Sequence, residues 1–366
     1  MNIYIVQTAV PKYRVAFFDT LYELLGGRLR VYSSNEALGM LSNAELRKPW
    51  LSKTGKLHLL GSIVGWQSGL GVVRPARGDM LVVQGNPRLL SHWWLALKHR
   101  ARGVKLIWWG HYRSSTSRSI GIRIRVHLMR YFFGVVFYTD KEKDMFLGSE
   151  AVPPRLVVAA LNNGISNTEI KSLRELYDSE SRPTDFFFIG RLTPKTKLKL
   201  LLDAMAVLEG TTLAVVGDGD MSAELRDHAI RLGIADRVTW HGPIVDERRI
   251  ATIANRSRLF VYPGEVGLSI VHALAYGLPV VVHSDRTRHM PEFAVVDQAD
   301  VAELFENDSS ASLAQALKSA LADPVALAAR SAAAIALTDR TFNTDDMAKR
   351  FMELVERCAD TDGDKR

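Results

Sequence analysis

The sequence predicts an α/β fold with two domains, each built around a parallel sheet. The chain has 366 residues, which exceeds the size at which a single hydrophobic core keeps growing. Short apolar runs alternate with helical patterns from end to end, and this alternation is typical of βαβ units. Runs such as TTLAVVG at 211–217 lack polar alternation, which predicts strands covered on both faces.

Five strands are predicted in the first half of the chain. The first lies within MNIYIVQTAV, an apolar run with no basic segment ahead of it, so we interpret it as a buried strand rather than a signal peptide. The predicted strands are Ile3–Gln7, Leu29–Tyr32, Met80–Gln84, Lys105–Trp108 and Val135–Thr139. Helical patterns cover Arg14–Leu25, after Pro11, and Pro87–Arg102.

The second half repeats the same alternation at similar spacing. The predicted strands are Phe186–Gly190, Thr212–Val216, Arg237–Trp240, Leu259–Tyr262 and Val280–His283. The predicted helices are Lys199–Leu208, Met221–Leu232, Glu247–Asn255 and Leu268–Tyr276.

Composition shifts suggest where the domains meet. We predict an N-terminal domain at 1–165, a C-terminal domain at 166–343 and a final segment at 344–366. The border falls in the polar stretch 163–182, which precedes the apolar run DFFFIG. After Pro324 the chain is alanine-rich and helical, and we expect the last helix to pack back on the N-terminal domain, before a frayed TDGDKR tail.

Positive charge is concentrated in the first half. Residues 1–165 carry 23 Lys and Arg against 9 Asp and Glu, whereas the remainder carries 24 against 31. This asymmetry predicts an anionic partner for the first half, with a merely solvated basic face as the alternative. No nucleic-acid recognition motif accompanies the charge, so nucleic acid is not the expected partner.

The single cysteine, Cys358, excludes a disulfide framework within the chain. A reducing compartment is the natural interpretation, and we expect a cytoplasmic protein.

Strand-to-helix junctions in the second half form the candidate site, because ligands of open α/β sheets bind beyond the carboxyl ends of the strands. The first junction, GRLTPKTK at 190–197, places Arg191, Lys195 and Lys197 directly after a strand. Cations at this position can neutralise a diphosphate. A basic loop leading into a surface helix is the alternative.

The second junction, GDGD at 217–220, contains Gly217 and Gly219, which permit close backbone approach next to a helix N-terminus. Asp218 and Asp220 also resemble a metal-binding pair. Acidic residues are common in such turns, so no metal site is predicted.

The third junction, PGEVGLS at 263–269, places Gly267, Leu268 and Ser269 at a helix N-terminus. The first amides of a helix lack intrahelical partners and favour an anion. A single junction of this kind is weak evidence for a ligand site, but three of them in succession are much stronger evidence.

Taken in order, the segments GRLTPKTKLKLLLDA, VVGDGD, LGIADRVTWHGPI and PGEVGLSIVHALAYGLPVVV resemble the donor domain of retaining family-4 (group 1) glycosyltransferases. The first-half segments VPKYRVAFFDTL, VVQGNPRLLS, IWWGH, VVFYTDKEKDMF and LNNGI also fall where such enzymes place similar segments. The resemblance covers roughly residues 1–300. It implies the GT-B fold, in which two Rossmann-like domains face a cleft with their parallel sheets.

The resemblance also implies roles for individual residues. Arg191 and a following lysine contact the donor diphosphate; the family's lysine falls on Thr196 here, so Lys197 or Lys195 must substitute, and we favour Lys197. His111, in WWGH, matches a histidine near the reacting sugar, where it binds the sugar or assists catalysis. A purely structural histidine at a strand end is the alternative.

Further positions correspond to known segments of the family. Asn162 and Asn163 match the interdomain NNG segment. Pro243 and Ile244, in the turn after a strand, match the region that flanks the nucleobase.

One departure from the family pattern concerns its paired glutamates, eight positions apart. They fall on Gly264 and His272 here, and Glu265 is one position from the first. His272 stands where the second glutamate bonds ribose. The PGxVGLS variant is interpreted as a branch in which chain amides serve the sugar and phosphate.

The implied reaction moves a sugar from a UDP- or GDP-sugar to a hydroxyl of a glycan or lipid-linked acceptor with retained anomeric configuration. The expected setting is the biosynthesis of cell-surface polysaccharide or lipopolysaccharide. No cofactor or metal ion is expected if Arg191, Lys197 and helix amides stabilise the departing diphosphate. A sugar-nucleotide epimerase or hydrolase, and a non-catalytic nucleotide-sugar-binding relative, are the alternatives.

The acceptor side includes the basic and apolar segment 111–134. It contains Arg113, Arg118, Arg123, Arg125 and Arg130. This mixture suits an interfacial helix on anionic lipid at the cytoplasmic face of a membrane, or an ordinary half-buried helix. Tryptophans that could stack on sugars are Trp50, Trp66, Trp93 and Trp94, although core packing is expected for most.

Overall fold

The structure is a computed structural model that describes residues 1–34, 47–61, 64–113, 119–178 and 180–360. Arg118 and the TDGDKR tail lie outside the described residues. The chain divides into two compact units, with unit 1 formed by residues 1–162 and 344–366 and unit 2 by residues 163–343.

Unit 1 is built around a parallel sheet. Among the described residues its strands are β1 Ile3–Gln7, β2 Leu29–Ser34, β3 Leu51–Thr54, β4 Leu57–Leu60, β5 Val64–Gln67, β6 Met80–Gln84, β7 Lys105–Trp109, β8 Gly134–Phe137 and β9 Val157–Ala160. Its helices there are α1 Val15–Leu24, α2 Leu90–Arg100, α3 Ser119–Met129 and α4 Asp140–Ser149, joined by the C-terminal α12 Thr344–Asp360. The strand order is β3-β2-β1-β6-β7-β8-β9, and β4 and β5 form a separate antiparallel hairpin.

Unit 2 contains a second parallel sheet, in the order β12-β11-β10-β13-β14-β15. Its strands are β10 Thr184–Ile189, β11 Leu213–Val216, β12 Val238–Gly242, β13 Ser257–Tyr262, β14 Val280–His283 and β15 Ala302–Phe305. Its helices are α5 Thr168–Leu173, α6 Leu198–Ala206, α7 Ser222–Arg231, α8 Glu247–Ala254, α9 Leu268–Ala275, α10 Ser310–Ala322 and α11 Pro324–Arg340.

The central strands are apolar on both faces because helices cover both sides of each sheet. Phe186, Phe187 and Phe188 of β10 are each about fully buried, which is the burial expected of a parallel strand. The α/β class predicted from the sequence is therefore confirmed.

Helix α12 returns to unit 1 at the end of the chain. Its apolar stripe includes Phe351, Leu354 and Cys358, all buried, and the Phe351 ring packs edge-on against Phe17 of α1. Burial raises the pKa of the Cys358 thiol to about 12, so this cysteine is an inert core group.

Helix α3 lies within the basic segment 111–134. Val126 and Met129 are buried, Arg123 and Ile124 are exposed, and Arg125 donates from Nη1 to the carbonyl of Tyr112 at 2.9 Å. The helix thus has one buried face.

Among the described residues, no single helix combines the length and the apolar composition needed to cross a bilayer; α10 and α11 meet those criteria only as a pair, with a 94° bend between them.

Candidate functional site

The junctions that follow β10, β11 and β13 pack on one another, because these three strands are neighbours in the sheet of unit 2. A Cβ atom on Gly217 would lie 1.8 Å from the carbonyl oxygen of Gly190, and one on Gly264 would lie 2.0 Å from that of Lys195. Both distances are far below van der Waals contact. Only glycine allows this backbone-to-backbone approach.

The first junction carries the predicted cations. Arg191 is exposed at its start, and Thr196 is buried, where its side chain forms a capping box with Thr193. Lys195 lies at the surface, with Nζ 3.4 Å from Glu265 Oε2, and its carbonyl accepts a hydrogen bond from the Glu265 amide at 3.1 Å. Lys195 and Glu265 are therefore brought together.

The side chain of Lys197 has different partners from that of Lys195. Its backbone is left-handed, at φ 49°, and its Nζ donates to Asn307 Oδ1 at 2.8 Å and pairs with Asp308 Oδ1 at 2.6 Å. Lys197 and Asp308 also line a cavity of about 300 Å³ between α6 and α7. Except for Lys197, none of the predicted donor residues lines this cavity.

In the second junction, Asp218 acts as a turn residue. Its Oδ1 accepts hydrogen bonds from the Gly219 amide, at 2.8 Å, and from the Ser222 hydroxyl. These bonds hold the pKa of Asp218 below its ordinary value. Among the described residues, no group of three or more His, Cys, Asp or Glu side chains is arranged to hold a metal ion.

The third junction leads into α9 through Gly267, with Leu268 and Ser269 in the first turn. The preceding amide, of Val266, donates to His289 Nδ1 at 3.2 Å, and His289 Nε2 donates to the carbonyl of His283 at 2.9 Å. An accepting Nδ1 and a donating Nε2 require a neutral ring. Burial lowers the pKa of His289 to about 4, so the ring is neutral at neutral pH. The neutral ring can then accept from the Val266 amide, which precedes the first residues of α9.

His272, on the second turn of α9, bonds a carboxylate from another helix. Its Nε2 lies 2.7 Å from Glu247 Oε1 at the start of α8, and the Tyr276 hydroxyl donates to the same oxygen at 2.6 Å. Burial raises the pKa of Glu247, but the hydrogen bonds from His272 and Tyr276 and the attraction to His272 bring it below the ordinary value. The site thus contains a partly buried, ionised carboxylate beside His272.

The turn after β12 lies next to this carboxylate in the chain. Pro243 is exposed, and Ile244 is half-buried against the core of unit 2. Asp246 accepts from the amide of Arg249 at 3.0 Å and caps α8, which fixes the start of the helix at Glu247.

His111 belongs to unit 1, at the carboxyl end of β7. Its Nδ1 lies 3.3 Å from Glu142 Oε1, and its ring centroid is 4.3 Å from that of Tyr138. Glu142 also accepts from the amides of Tyr112, at 3.3 Å, and Tyr138, at 3.2 Å. The Glu142 carboxylate therefore orients the His111 ring and holds the two chain segments at Tyr112 and Tyr138.

The two asparagines of the NNG segment stand on opposite sides of the unit border. The backbone of Asn162 is left-handed, at φ 49°. Its side-chain Oδ1 accepts a hydrogen bond from the Asp140 amide at 2.8 Å, and its Nδ2 donates to the Asp140 carboxylate at 2.7 Å. Asn163 is buried and donates to Glu292 within unit 2. A Cβ atom added to Gly267 would lie 4.0 Å from Glu292 Oε2, so this pair adjoins the start of α9.

The four tryptophans differ in environment. Trp50 is fully buried and donates to Asp19 Oδ1 at 2.8 Å, and Trp93 packs against Trp108 and Phe132. Trp66 and Trp94 are exposed and lie 6.4 Å apart between ring centroids.

Sequence reasoning missed two side chains that hold this site, Glu247 and His289. Glu247 lies 25 residues before His272, a separation at which no local pattern links the two residues. An acidic residue directly after the capping Asp246 was the available signal, but it is also an ordinary first-turn residue.

The segment that contains the three junctions matches a known protein family. Residues 183–323 match the family described as Glycosyl transferases group 1. A relative from Mycobacteroides abscessus, D-inositol 3-phosphate glycosyltransferase, is 35% identical over 102 residues, which cover 26% of this chain and 23% of the relative. The match therefore spans about a quarter of that relative's length.

Solved structures resemble the whole chain. HepE from Anabaena, in complex with UDP, has a TM-score of 0.71 at 19% identity, over 98% of this chain and 100% of its own. A glycosyltransferase from Rickettsia africae has a TM-score of 0.72 at 13% identity, over 98% of both chains. The lipopolysaccharide outer core galactosyltransferase WaaB has a TM-score of 0.67 at 13% identity, over 98% of this chain and 99% of its own. Residues 183–323 thus match the group 1 glycosyltransferases, and the chain as a whole has the GT-B fold.

Proposed function

We propose that the protein transfers a sugar from a UDP-sugar to a hydroxyl of a glycan or lipid-linked acceptor, with retention of the anomeric configuration. The observation that carries the proposal is the packing of the three strand-to-helix junctions on one another, with Arg191 and Lys195 on the first of them and α9 starting from the third. UDP is preferred over GDP because the similar HepE structure is a UDP complex.

Negative charge grows on the departing diphosphate as the glycosidic bond breaks. Fixed cations and helix amides at that position stabilise the transition state more than the ground state. We assign this role to Arg191, to a lysine of the same loop and to the amides of Leu268 and Ser269.

The carboxylate of Glu247 supplies a hydrogen-bond acceptor that positions 264 and 272 lack. Ribose hydroxyls are donors, and a carboxylate held by His272 and Tyr276 keeps free lone pairs for them. We propose that Glu247 bonds the donor nucleotide, while Pro243 and Ile244 flank the base.

The test is a thermal-shift panel with UDP, GDP, CDP, dTDP and ADP on the wild type, Arg191→Ala, Glu247→Gln and the control Arg231→Ala. A ligand that binds only the folded state raises stability by RT ln(1 + [L]/Kd). We expect UDP to stabilise the wild type and the control most, and both site variants much less. Equal UDP shifts in all four proteins would contradict the assignment.

Turnover separates the alternatives. Consumption of UDP-sugar without an acceptor would indicate an epimerase or hydrolase, and binding without turnover would indicate a non-catalytic relative. NMR of the product anomer tests retention of the anomeric configuration.

We expect His111→Ala to lower the transfer rate while UDP binding by unit 2 persists.

We also propose that unit 1 binds an anionic membrane surface through a hairpin patch, which we define as the exposed apolar side chains of β4, β5 and α2. The patch consists of Leu59, Leu60, Trp66, Leu90, Trp94 and Leu97. Lys98 Nζ lies 4.9 Å from the centroid of the Trp94 ring, and the Arg88 carbonyl bonds the hairpin at Gly65.

Charge around the patch suits anionic lipid. Between Glu45 and Asp140 the sequence contains a single acidic residue, Asp79. Exposed tryptophans beside lysine and arginine are typical of the membrane interface. This location would bring the enzyme to a lipid-linked acceptor.

A further inference from the structure

The backbone that leads to His111 is fixed by close packing at the carboxyl end of β7. The amide of Gly110 donates to the Val136 carbonyl at 3.0 Å. A Cβ atom on Gly110 would lie 2.7 Å from the carbonyl oxygen of Gly85, so only glycine fits there without a shift of the chain. The side chain of His111 therefore starts from a well-defined position.

Glu142, in the first turn of α4, gathers three hydrogen-bond donors on its carboxylate. Oε1 lies 3.3 Å from His111 Nδ1 and accepts from the Tyr112 amide at 3.3 Å, while Oε2 accepts from the Tyr138 amide at 3.2 Å. The amide of Glu142 in turn donates to the capping hydroxyl of Thr139 at 3.3 Å. The Glu142 side chain is only 13% exposed, and these bonds hold both ends of it in place.

The bond to Glu142 decides which nitrogen of the His111 ring carries the proton. A carboxylate only accepts hydrogen bonds, so His111 Nδ1 must be the donor. In the neutral ring, a proton on Nδ1 leaves a lone pair on Nε2. Among the residues that the structure describes, none forms a hydrogen bond with His111 Nε2, and the side chain is 38% exposed.

The ring of Tyr138 lies against the His111 ring and completes its support. The two centroids are 4.3 Å apart, and the ring planes are inclined by 39°. A half-turn of the His111 ring about χ2 would place a carbon where Nδ1 now meets Glu142, and the bond would be lost. Both the tautomer and the orientation of the ring therefore depend on the carboxylate.

We propose that Glu142 is a positioning residue, which fixes His111 as the Nδ1-protonated tautomer and thereby makes Nε2 a hydrogen-bond acceptor. An acceptor at this atom recognises a hydroxyl group, whereas an Nε2–H donor would recognise an oxyanion such as phosphate. The ligand group at His111 is thus a hydroxyl of a sugar. This inference rests on the proposed function, because that function brings a sugar to His111.

The tautomer can be measured directly by long-range ¹H–¹⁵N NMR of the full chain labelled at histidine. The spectra are recorded without ligand at pH 8, where an ordinary imidazole is neutral. The signals of His111 are those that disappear in His111→Gln. We expect a protonated Nδ1 and an unprotonated Nε2 in the wild type. A protonated Nε2 would overturn the inference without any change at position 142.

Two matched variants of α4 show whether the carboxylate sets the tautomer. Glu142→Leu removes the acceptor, and we expect the ring to lose its preference for the Nδ1-protonated form. Asp144→Leu makes the same replacement two positions later, at a side chain that is 70% exposed, and should leave the tautomer unchanged. The same tautomer in a folded Glu142→Leu variant as in the wild type would contradict the positioning role.

Calorimetric titration with UDP, UDP-glucose, UDP-galactose and UDP-N-acetylglucosamine tests the consequence for sugar binding. The affinity that the sugar adds to UDP should fall about three- to ten-fold in Glu142→Leu, with no change in UDP affinity and none of either kind in Asp144→Leu. His111→Gln, whose amide oxygen can replace the Nε2 acceptor, should retain more of this added affinity than His111→Asn, whose shorter side chain reaches only the position of Nδ1.

The two measurements fail in different ways. Absence of UDP binding in the wild type would defeat the proposed function, whereas the NMR result does not depend on UDP. No added affinity from any of the three sugars in a wild type that binds UDP, or an equal loss in both α4 variants, would overturn the hydroxyl contact at His111.

Discussion

Lys195 and Lys197 are two positions apart, yet their side chains have different neighbours. The ammonium of Lys197 is held by Asn307 and Asp308, whereas that of Lys195 lies beside Glu265 at the start of the third junction. Lys195 is also 76% exposed, so an arriving diphosphate displaces little from it. On these contacts we propose Lys195 as the diphosphate contact, in place of Lys197, which the resemblance to the family favoured.

This difference leads to a paired prediction. Lys195→Ala should reduce UDP affinity several-fold with little change in unfolding free energy, since exposed ion pairs contribute at most about 1 kcal/mol. Lys197→Ala should mainly lower stability, because it leaves Asp308 and Asn307 without their cation. Calorimetric titration with UDP and chemical denaturation of both variants check this, and the reverse ranking would restore Lys197 to the role.

His289 predicts a pH dependence of stability. Its pKa is about 4 in the folded protein, against about 6.5 in an unfolded chain. The unfolded state therefore binds more protons between these values, and stability falls as pH drops from about 6.5 towards 4. The loss from this group is on the order of 3 kcal/mol.

The measurement is urea unfolding at pH 7, 6 and 5. His289→Leu should be less stable than the wild type at pH 7, because the Val266 amide loses its acceptor, yet it should lose less stability on acidification. Parallel pH profiles for the two proteins would show that His289 does not titrate as described.

At the scale of elements, the glycines of the strand-to-helix junctions lead to a prediction about stability and UDP binding. A methyl group on Gly264 would meet the Lys195 carbonyl and separate the first and third junctions. We expect Gly264→Ala to cost about 1–3 kcal/mol of stability and to weaken UDP binding.

Gly148 provides the matched control. It lies in α4 with no atom within 4 Å of the added methyl group, so Gly148→Ala should stabilise the protein by about 0.5–1 kcal/mol. Thermal unfolding distinguishes the two. A stable Gly264→Ala variant with unchanged UDP affinity would contradict the close packing of the junctions.

All ten predicted strands are present, and most of them are apolar runs bounded by turn residues. The described strands that were not predicted are β3, β4, β5, β9 and β15, and their signals are weak for different reasons; β3, LSKT, is half polar. β15, AELF, is a short edge strand with a charged residue, and β9, VVAA, is short and lacks aromatic side chains. β4 and β5 are half-exposed on a hairpin, so apolar periodicity does not reveal them.

The candidate site could be predicted from the sequence only where its residues lie close together along the chain. The loop residues at 190–197 and 263–269 follow strands directly, so their position is visible in sequence. Glu247 reaches His272 from a different helix, and His289 reaches Val266 from a later turn. These contacts depend on tertiary packing, for which the local sequence contains no signal.

At the scale of the whole molecule, the charge asymmetry and the hairpin patch together predict membrane binding. Leu60→Glu, at a side chain that is 78% exposed, should reduce co-sedimentation with phosphatidylglycerol vesicles several-fold. Val207→Glu, equally exposed on unit 2 at 72%, is the control and should bind like the wild type.

Salt and lipid composition complete this test. Binding should fall as salt screens the basic surface, and phosphatidylcholine vesicles should bind weakly. Equal binding to neutral vesicles, or equal loss in both variants, would contradict the proposed surface.

The return of α12 to unit 1 also affects how the protein is synthesised. Residues 163–343, which form unit 2, are complete on the ribosome before Phe351 and its neighbours have been made. The core positions of unit 1 that pack against α12 therefore lack this helix until the whole of unit 2 has been synthesised. Although its first residues emerge earliest, the N-terminal unit cannot complete its core until the residues of α12 have left the ribosome.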